Sequence, residues 1–217
     1  MFESRKIYLF RHGETNWNKE RRWQGQTDVP LNVRGSHQAQ ILAKASRDWN
    51  IQAIFSSDLA RAAETARIIA QELQIPLAFD ADLREGNFGE AEGLTKDEIL
   101  GKYGQDFVRR WKSLEERHLD LSFPAGESRR QILERFRRSI ERILRETSWQ
   151  IIAVVTHGSI LKHFIQHVDR DFLVPTPIPN CGAFEVEFNP QNQQFIVARI
   201  IVADDPESCF SECGPTS

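Results

Sequence analysis

The sequence predicts a single α/β domain, a three-layer α/β/α sandwich around a mostly parallel central sheet. Two patterns carry that expectation. Short apolar runs alternate with longer segments whose apolar residues recur at helical spacing. The most apolar run, "IIAVV" at residues 151–155, suits a strand covered on both faces. A chain of 217 residues can bury a sizeable core in one domain, or in one domain with an insertion. Residues 1–205 are assigned to that domain, with an insertion at about 86–127, and 206–217 to a tail expected to fray.

Each element has its own signal. "KIYLF" from Lys6 reads as a short buried strand. "PLNVRGSHQAQILAKASRDW" reads as a helix, with Asn32 as N-cap. "IQAIFSS" is a second strand. "SSDLARAAETARIIAQEL" is a helix in which Leu59, Ala62, Ala63, Ala66, Ile69, Ala70 and Leu73 share one face, with Ser57 or Asp58 able to cap it. "IPLAFD" is a short strand. "RRQILERFRRSIERILRET" is amphipathic and buries Ile132, Leu133, Phe136, Ile140, Ile143 and Leu144, with Glu134–Arg138 and Glu141–Arg145 as supporting pairs. "QIIAVVTHGS" is a strand, "ILKHFIQHV" a helix, and "AFEVEF" and "FIVARII" two closing strands around the turn-rich "NPQNQQ".

Composition excludes several classes. A net charge of −3 gives no basic field for nucleic acid or acidic membranes. No apolar run reaches the roughly 20 residues of a membrane helix, and "MFESRKIYLF" has no signal-peptide pattern. Three cysteines do not make a disulfide scaffold at this length. The expectation is a cytoplasmic protein, with Cys209 and Cys213 as unremarkable tail residues.

The strand ends carry the chemistry. In parallel sheets ligands bind beyond the carboxyl ends of the strands. Here the first strand runs into Arg11-His12-Gly13, the second into a helix whose first turn holds Arg61, the third into Arg84 and Glu85, and the "IIAVV" strand into Thr156-His157-Gly158. If these strands are parallel neighbours, Arg11, His12, Arg61, Glu85 and His157 meet at one edge. Two guanidiniums can fork onto phosphate oxygens, and helix N-termini after Ser57 and His157 can add backbone donors. That leaves an imidazole to act as nucleophile and a carboxylate to donate a proton. The attacking His12 must be neutral, so its pKa should be pulled down by the cations, and its other nitrogen needs a fixed acceptor, such as a backbone carbonyl near Gly13. Glu85 needs the opposite tuning, toward partial protonation near neutrality.

The order "RHGETNWN", "SSDLARAAETA", "LREGNFGEAEG", "VTHGS" resembles the histidine phosphatase superfamily, the phosphoglycerate mutase-like proteins, from about Ile7 to the last strands. The resemblance implies the phosphoglycerate mutase-like fold and a phosphohistidine on His12. It implies that Arg11, Arg61 and His157 bind the phosphoryl group, with Asn18 as a further donor, and that Glu85 is general acid and then base. Gln24 and Gly25 fall in the segment that lines the substrate side, and Gly158 joins the phosphate-binding set. No step needs a metal or another cofactor.

Among members, "RHGETNWN…WQGQTDVPLN…PAGES" is most similar to broad-specificity phosphatases and α-ribazole phosphatases, while fructose-2,6-bisphosphatase-like activity stays open. The insertion lacks the length and extra basic residues of the glycolytic mutases, and a short lid shields a phosphohistidine poorly from water. The expected enzyme is therefore a metal-independent phosphomonoesterase for small phosphorylated metabolites, monomeric or homodimeric. The alternatives are a phosphoglycerate mutase-type phosphotransferase and, behind it, a non-catalytic binder of phosphorylated ligands. Phe88, Tyr103, Phe107, Trp111 and Phe123 in the insertion suggest a lid over the pocket, or the packing of two short helices, or both.

Other residues draw plainer readings. His163 and His167 have zinc-like spacing but lack the Glu of HExxH, so surface or partly buried histidines are expected. His37 and His118 are expected to be solvated. The arginines of residues 129–145 read as a solvated, salt-bridged face. Glu14 should turn away from the anion site or pair with an arginine. Trp17 and Trp23 should pack, with Trp23 near enough to line the site.

Overall fold

The computed structural model describes residues 4–113, 115–175 and 177–201. The expected tail, with Cys209 and Cys213, and the domain end at 205 lie outside the described residues. Six strands form one sheet: β1 (Arg5–Arg11), β2 (Ala53–Ser56), β3 (Leu77–Phe79), β4 (Ile151–Thr156), β5 (Ala183–Asn189) and β6 (Gln194–Ile201). Their order is β3-β2-β4-β1-β5-β6. The first four are parallel, and β5 and β6 join as antiparallel strands at one side. The helices are α1 (Asn16–Lys19), α2 (Val33–Ala45), α3 (Ala60–Leu73), α4 (Lys96–Tyr103), α5 (Gln105–Lys112), α6 (Arg129–Glu146) and α7 (Gly158–Val168).

Two cores follow from the two-residue period of the strands. Ile7 and Leu9 of β1, with Ile152 and Val154 of β4, pack against Phe136 and Ile140 of α6 and Phe164 of α7. The intervening Tyr8, Phe10, Ala153 and Val155 pack against Leu42 of α2 and Ala62, Ala66 and Ile69 of α3. Helices thus cover both faces of the sheet, and the expected three-layer fold is present. Among the described residues no helix is long and apolar enough to cross a membrane.

Several local readings need correction. The first long helix stops at Ala45; a 3₁₀ turn then covers Arg47–Trp49, and Asn50 follows with φ +55°. Asn32 caps that helix as expected, accepting from Gly35 N at 2.8 Å. The cap of α3 comes from elsewhere. Ser57 Oγ accepts from Leu59 N, one residue before the helix, while Asp28 Oδ1, 32 residues upstream, accepts from Ala60 N at 2.7 Å. Asp58 instead pairs with Arg84. On α6, Glu141 pairs backward with Arg137 rather than forward with Arg145. Leu133 is only half-buried on that helix, whereas Arg129 and Ser139 are buried.

Two glycines set the distance between the loop after β1 and the start of α2. A Cβ on Gly13 would lie 2.3 Å from Gly35 O, and one on Gly35 would lie 2.1 Å from Glu14 O. Both neighbours are backbone and cannot swing aside. Gly35→Ala is therefore expected to lower stability by about 1–3 kcal/mol, read as an earlier urea midpoint at unchanged slope. A midpoint equal to that of the unmodified chain would contradict the close approach.

Candidate active site

The carboxyl ends of β1, β2 and β4 and the loop after β3 meet around a cavity of about 500 Å³. Its wall includes Arg11, His12, Asn18, Gln24, Gly25 and Arg61. Glu85 and Gly158 complete the predicted set at this wall. His157 does not line the cavity. It lies behind His12, with ring centroids 5.2 Å apart, and is buried.

His12 is fixed by its neighbour. Its Nδ1–H donates to Gly13 O at 2.6 Å, so Nε2 is the nitrogen left with a lone pair. That is the acceptor expected from the sequence. Asn180 Nδ2 donates to His12 O at 3.0 Å and Gly13 N donates to Thr65 Oγ at 3.1 Å, which hold the backbone on both sides. Burial, and then the charges of Arg61 and Arg11, keep the His12 pKa well below its ordinary value. The imidazole is neutral at physiological pH. Burial leads the causes; the cations expected to dominate come second.

Arg61 is fully buried and held on three sides. Its Nε–H donates to His157 Nδ1 at 3.2 Å, and its terminal nitrogens donate to Thr27 O at 2.9 Å and Gly25 O at 2.6 Å. Two of its five hydrogens remain for a ligand. His157 accepts from Arg61 through Nδ1, so its Nε2 carries the proton and donates to Ser57 Oγ at 2.9 Å. Both nitrogens are engaged, and a phosphoryl contact requires the ring to leave Ser57. Arg11 donates to Ile178 O, while its buried Nε has no partner. A Cβ at position 158 would lie 3.1 Å from that Nε, so Gly158 leaves the room in which Arg11 lies. Desolvation brings both arginines down to about 10, still cationic at neutral pH.

Glu85 faces the same cavity and is buried. Oε2 accepts from Ser159 N at 2.9 Å, and Oε1 from Ile160 N and Gly86 N at 3.0 Å. It therefore caps α7. The two helix N-termini expected to donate to an anion are already occupied, α3 by Asp28 and α7 by Glu85, because each lacks a cap of its own. Burial raises the Glu85 pKa, opposed by the three N–H donors and by Arg61.

The remaining predicted residues are oriented by local bonds. Asn18 Oδ1 accepts from Thr15 N at 3.1 Å and Asn180 Nδ2 at 3.3 Å, which leaves its NH₂ as the donor end. Gln24 Oε1 accepts from Thr15 Oγ at 3.0 Å. Glu14 does not line the cavity; it accepts from Asn32 Nδ2 and pairs with Arg34. Trp23, Phe88 and Trp111 form an apolar wall, whereas Tyr103, Phe107 and Phe123 pack behind it. The insertion is thus both a pair of short helices and a cover. His163 is buried and lines the cavity, while His167 is exposed. No cluster of three or more His, Cys, Asp or Glu suited to a metal occurs among the described residues.

Some supporting residues were not foreseen. Glu92 accepts from Gln26 N, Thr27 N and Phe88 N at 2.8–3.0 Å and holds the loop that holds Arg61. Arg135 donates to Asp82 O, Arg84 O and Glu85 O and fixes the strand-end loop carrying Glu85. Asn180 sits far along the chain with no local signal. Ser159, Lys162 and His163 could have been found, since residues 158, 159, 162 and 163 share one helical face after His157.

Comparison with known proteins gives the family. The model of the histidine phosphatase superfamily (branch 1) matches residues 7–200. Phosphoglycerate mutase-like protein 4 of Arabidopsis thaliana is 37% identical over 160 residues, covering 72% of this chain and 68% of that protein. The protein named "Probable phosphoglycerate mutase GpmB" in Escherichia coli O1:K1 / APEC is 38% identical over 159 residues, covering 72% and 71%. The solved structure of Bacillus stearothermophilus YhfR superposes with a TM-score of 0.77 at 32% identity, over 89% of this chain and 95% of that one.

The buried histidines give a pH signature. Burial, then Arg129 and Lys162, bring the His163 pKa from 6.5 down to about 3. Between these values the unfolded chain binds a proton that the folded chain does not, so stability falls as pH falls. His12 and His157 act in the same direction. Glu85, raised in the fold, acts oppositely: its contribution is present below its unfolded pKa and is lost as pH rises through the folded one. From pH 8 to pH 5, His163 alone removes about 2 kcal/mol. His163→Gln is expected to shrink the pH 8-to-5 loss in urea unfolding by that amount. An unchanged loss would contradict a neutral buried imidazole.

Proposed function

This chain belongs to the histidine phosphatase superfamily, and on that footing we propose that it is a metal-independent phosphomonoesterase acting on small phosphorylated metabolites in the cytoplasm. The observation that carries the reading is a neutral His12 with Nε2 unbound, beside the guanidiniums of Arg11 and buried Arg61, in a cavity shared with a carboxyl group of raised pKa. Arg11 and Arg61 neutralise the phosphate and hold phosphorus in line with Nε2. Nε2 attacks, the ester P–O bond breaks, and Glu85 gives its proton to the departing oxygen. The carboxylate then takes a proton from water, whose oxygen attacks the phosphohistidine and returns His12 and free phosphate. His157 keeps the plane of the Arg61 guanidinium fixed through Nδ1. The arginines supply the positive charge that a metal would otherwise bring.

The names of the two relatives above favour a second reading, transfer of the phosphoryl group as in a phosphoglycerate mutase. Its residues would be the same; only the acceptor differs. The compact cover, two eight-residue helices between Glu85 and Ser128, supports hydrolysis over transfer, because a phosphohistidine that waits for a second alcohol must be kept from water.

Free phosphate released from a panel of esters in EDTA is expected from the unmodified protein and absent with His12→Ala. Interconversion of phosphoglycerates without release would favour the mutase. Glu85→Gln is expected to slow alkyl esters by about 10²- to 10⁴-fold and aryl esters far less, since a good leaving group needs little protonation. Equal slowing of both would mean that the acid lies elsewhere.

A further inference from the structure

Arg61 owes its place to a loop. Two of its three partners, Gly25 O and Thr27 O, are carbonyls of residues 24–28, which lie outside any helix or strand. The same segment is tied to the start of α3 by Asp28, and to the carbonyl of Glu85 by Gln26 Nε2 at 3.1 Å. It therefore touches both the buried arginine and the backbone of the proposed acid. Within the segment one backbone bond closes a turn, from Thr27 N to Gln24 O at 3.0 Å. A turn of that kind does not fix two carbonyls by itself.

Glu92 supplies what is missing, from 65 and 66 residues along the chain. Its Oε1 accepts from Gln26 N at 2.8 Å and from Phe88 N at 3.0 Å. Its Oε2 accepts from Thr27 N at 2.9 Å and from Thr27 Oγ at 2.5 Å. A Cβ on Gly25 would lie 2.0 Å from Oε1, so the loop closes directly over the carboxylate. Beside it the two segments are joined through their backbones, Trp23 N to Leu94 O at 2.9 Å and Gly93 N to Trp23 O at 2.7 Å.

The charge of Glu92 works against the site. It is one of the carboxylates that act on Arg61, and a negative charge near an anion site repels the anion. On charge alone, phosphate would bind better with a neutral residue here. Only an ionised carboxylate, however, offers four acceptor positions and no donor. An amide would turn its NH₂ toward two of the four donors and free one side of the loop.

We propose that Glu92 is a positioning residue for the phosphate site: by clamping Gln26 and Thr27 it fixes the carbonyls that hold Arg61, and it acts on the phosphoryl group through that arginine. This rests on the reading above that Arg61 binds phosphate.

The test is a ³¹P NMR titration of the intact protein with inorganic phosphate, in the unmodified chain, Glu92→Gln, Arg61→Met and the double variant. Glutamine keeps the length and volume of the side chain and removes the charge. Glu92→Gln is expected to weaken phosphate binding about tenfold, and by a factor of about one when Arg61 is already replaced, because residues acting through one another are not additive. Arg61→Lys keeps the charge but cannot fork onto two carbonyls; it gives a second cycle with the same expectation should Arg61→Met fail to fold. Arg11 is held by Ile178 O and not by this loop, so in an Arg11→Met background the tenfold loss is expected to persist. Tighter binding in Glu92→Gln, an equal loss with and without Arg61, or no phosphate binding by the unmodified protein would each overturn the clamp. Hydrolysis of phenyl phosphate, measured alongside, reads the phosphatase proposal separately: phosphate bound without hydrolysis would sink that reading and not the clamp.

Discussion

The hydrogen bond from His12 Nδ1 to Gly13 O is the constraint on which the site depends. It decides which nitrogen can react, and it does so with the backbone next door, so any movement of that loop is movement of the nucleophile. The loop is consequently held by everything near it: Thr65 on Gly13 N, Asn180 on the His12 carbonyl, and the backbone of α2 pressed against Gly13 at a distance that admits no side chain. The parallel sheet supplies the frame. β1 lies between β4 and β5, and the residue pair Arg11–Thr156 sets the end of one strand beside the end of the next.

Charge is the second constraint. Arg61 and Arg129 are buried and Arg11 is half-buried, and loss of solvent brings all three down to about 10, although carboxylates act on Arg11 and Arg61. Such sites oppose folding and favour an anionic ligand. Glu85 resolves part of the conflict. It caps α7 through Ser159 and Ile160 while facing the cavity, so one carboxyl group both satisfies a helix end and stands ready to exchange a proton. The three backbone donors pull its pKa down and burial pushes it up, with a net rise above the ordinary carboxylate value.

Much of this was legible in the sequence, because strands end where their patterns end. The apolar runs marked the sheet, the residues after them marked its reactive edge, and four motifs in order identified the fold. What escaped detection was long-range. Glu92 holds residues 26 and 27 from 66 and 65 residues away, and Asp28 caps a helix that begins 32 residues later; neither contact leaves a periodic trace. The arginines that fill that helix suggest a solvated face for Arg129, yet it stands at the first helical position and is buried. His163 and His167 share their spacing and their helical face, yet only His163 lines the cavity; His167, one turn further on, is exposed.

The central claim is that Nε2 of His12 accepts the phosphoryl group. Rapid quenching in base during turnover of an aryl phosphate, followed by peptide mass spectrometry and ³¹P NMR of the labelled histidine, tests it most directly. The account predicts a base-stable, acid-labile phosphoryl group on His12, carried by Nε2. A phosphoryl group on Nδ1, on another residue, or on none during steady turnover would contradict it.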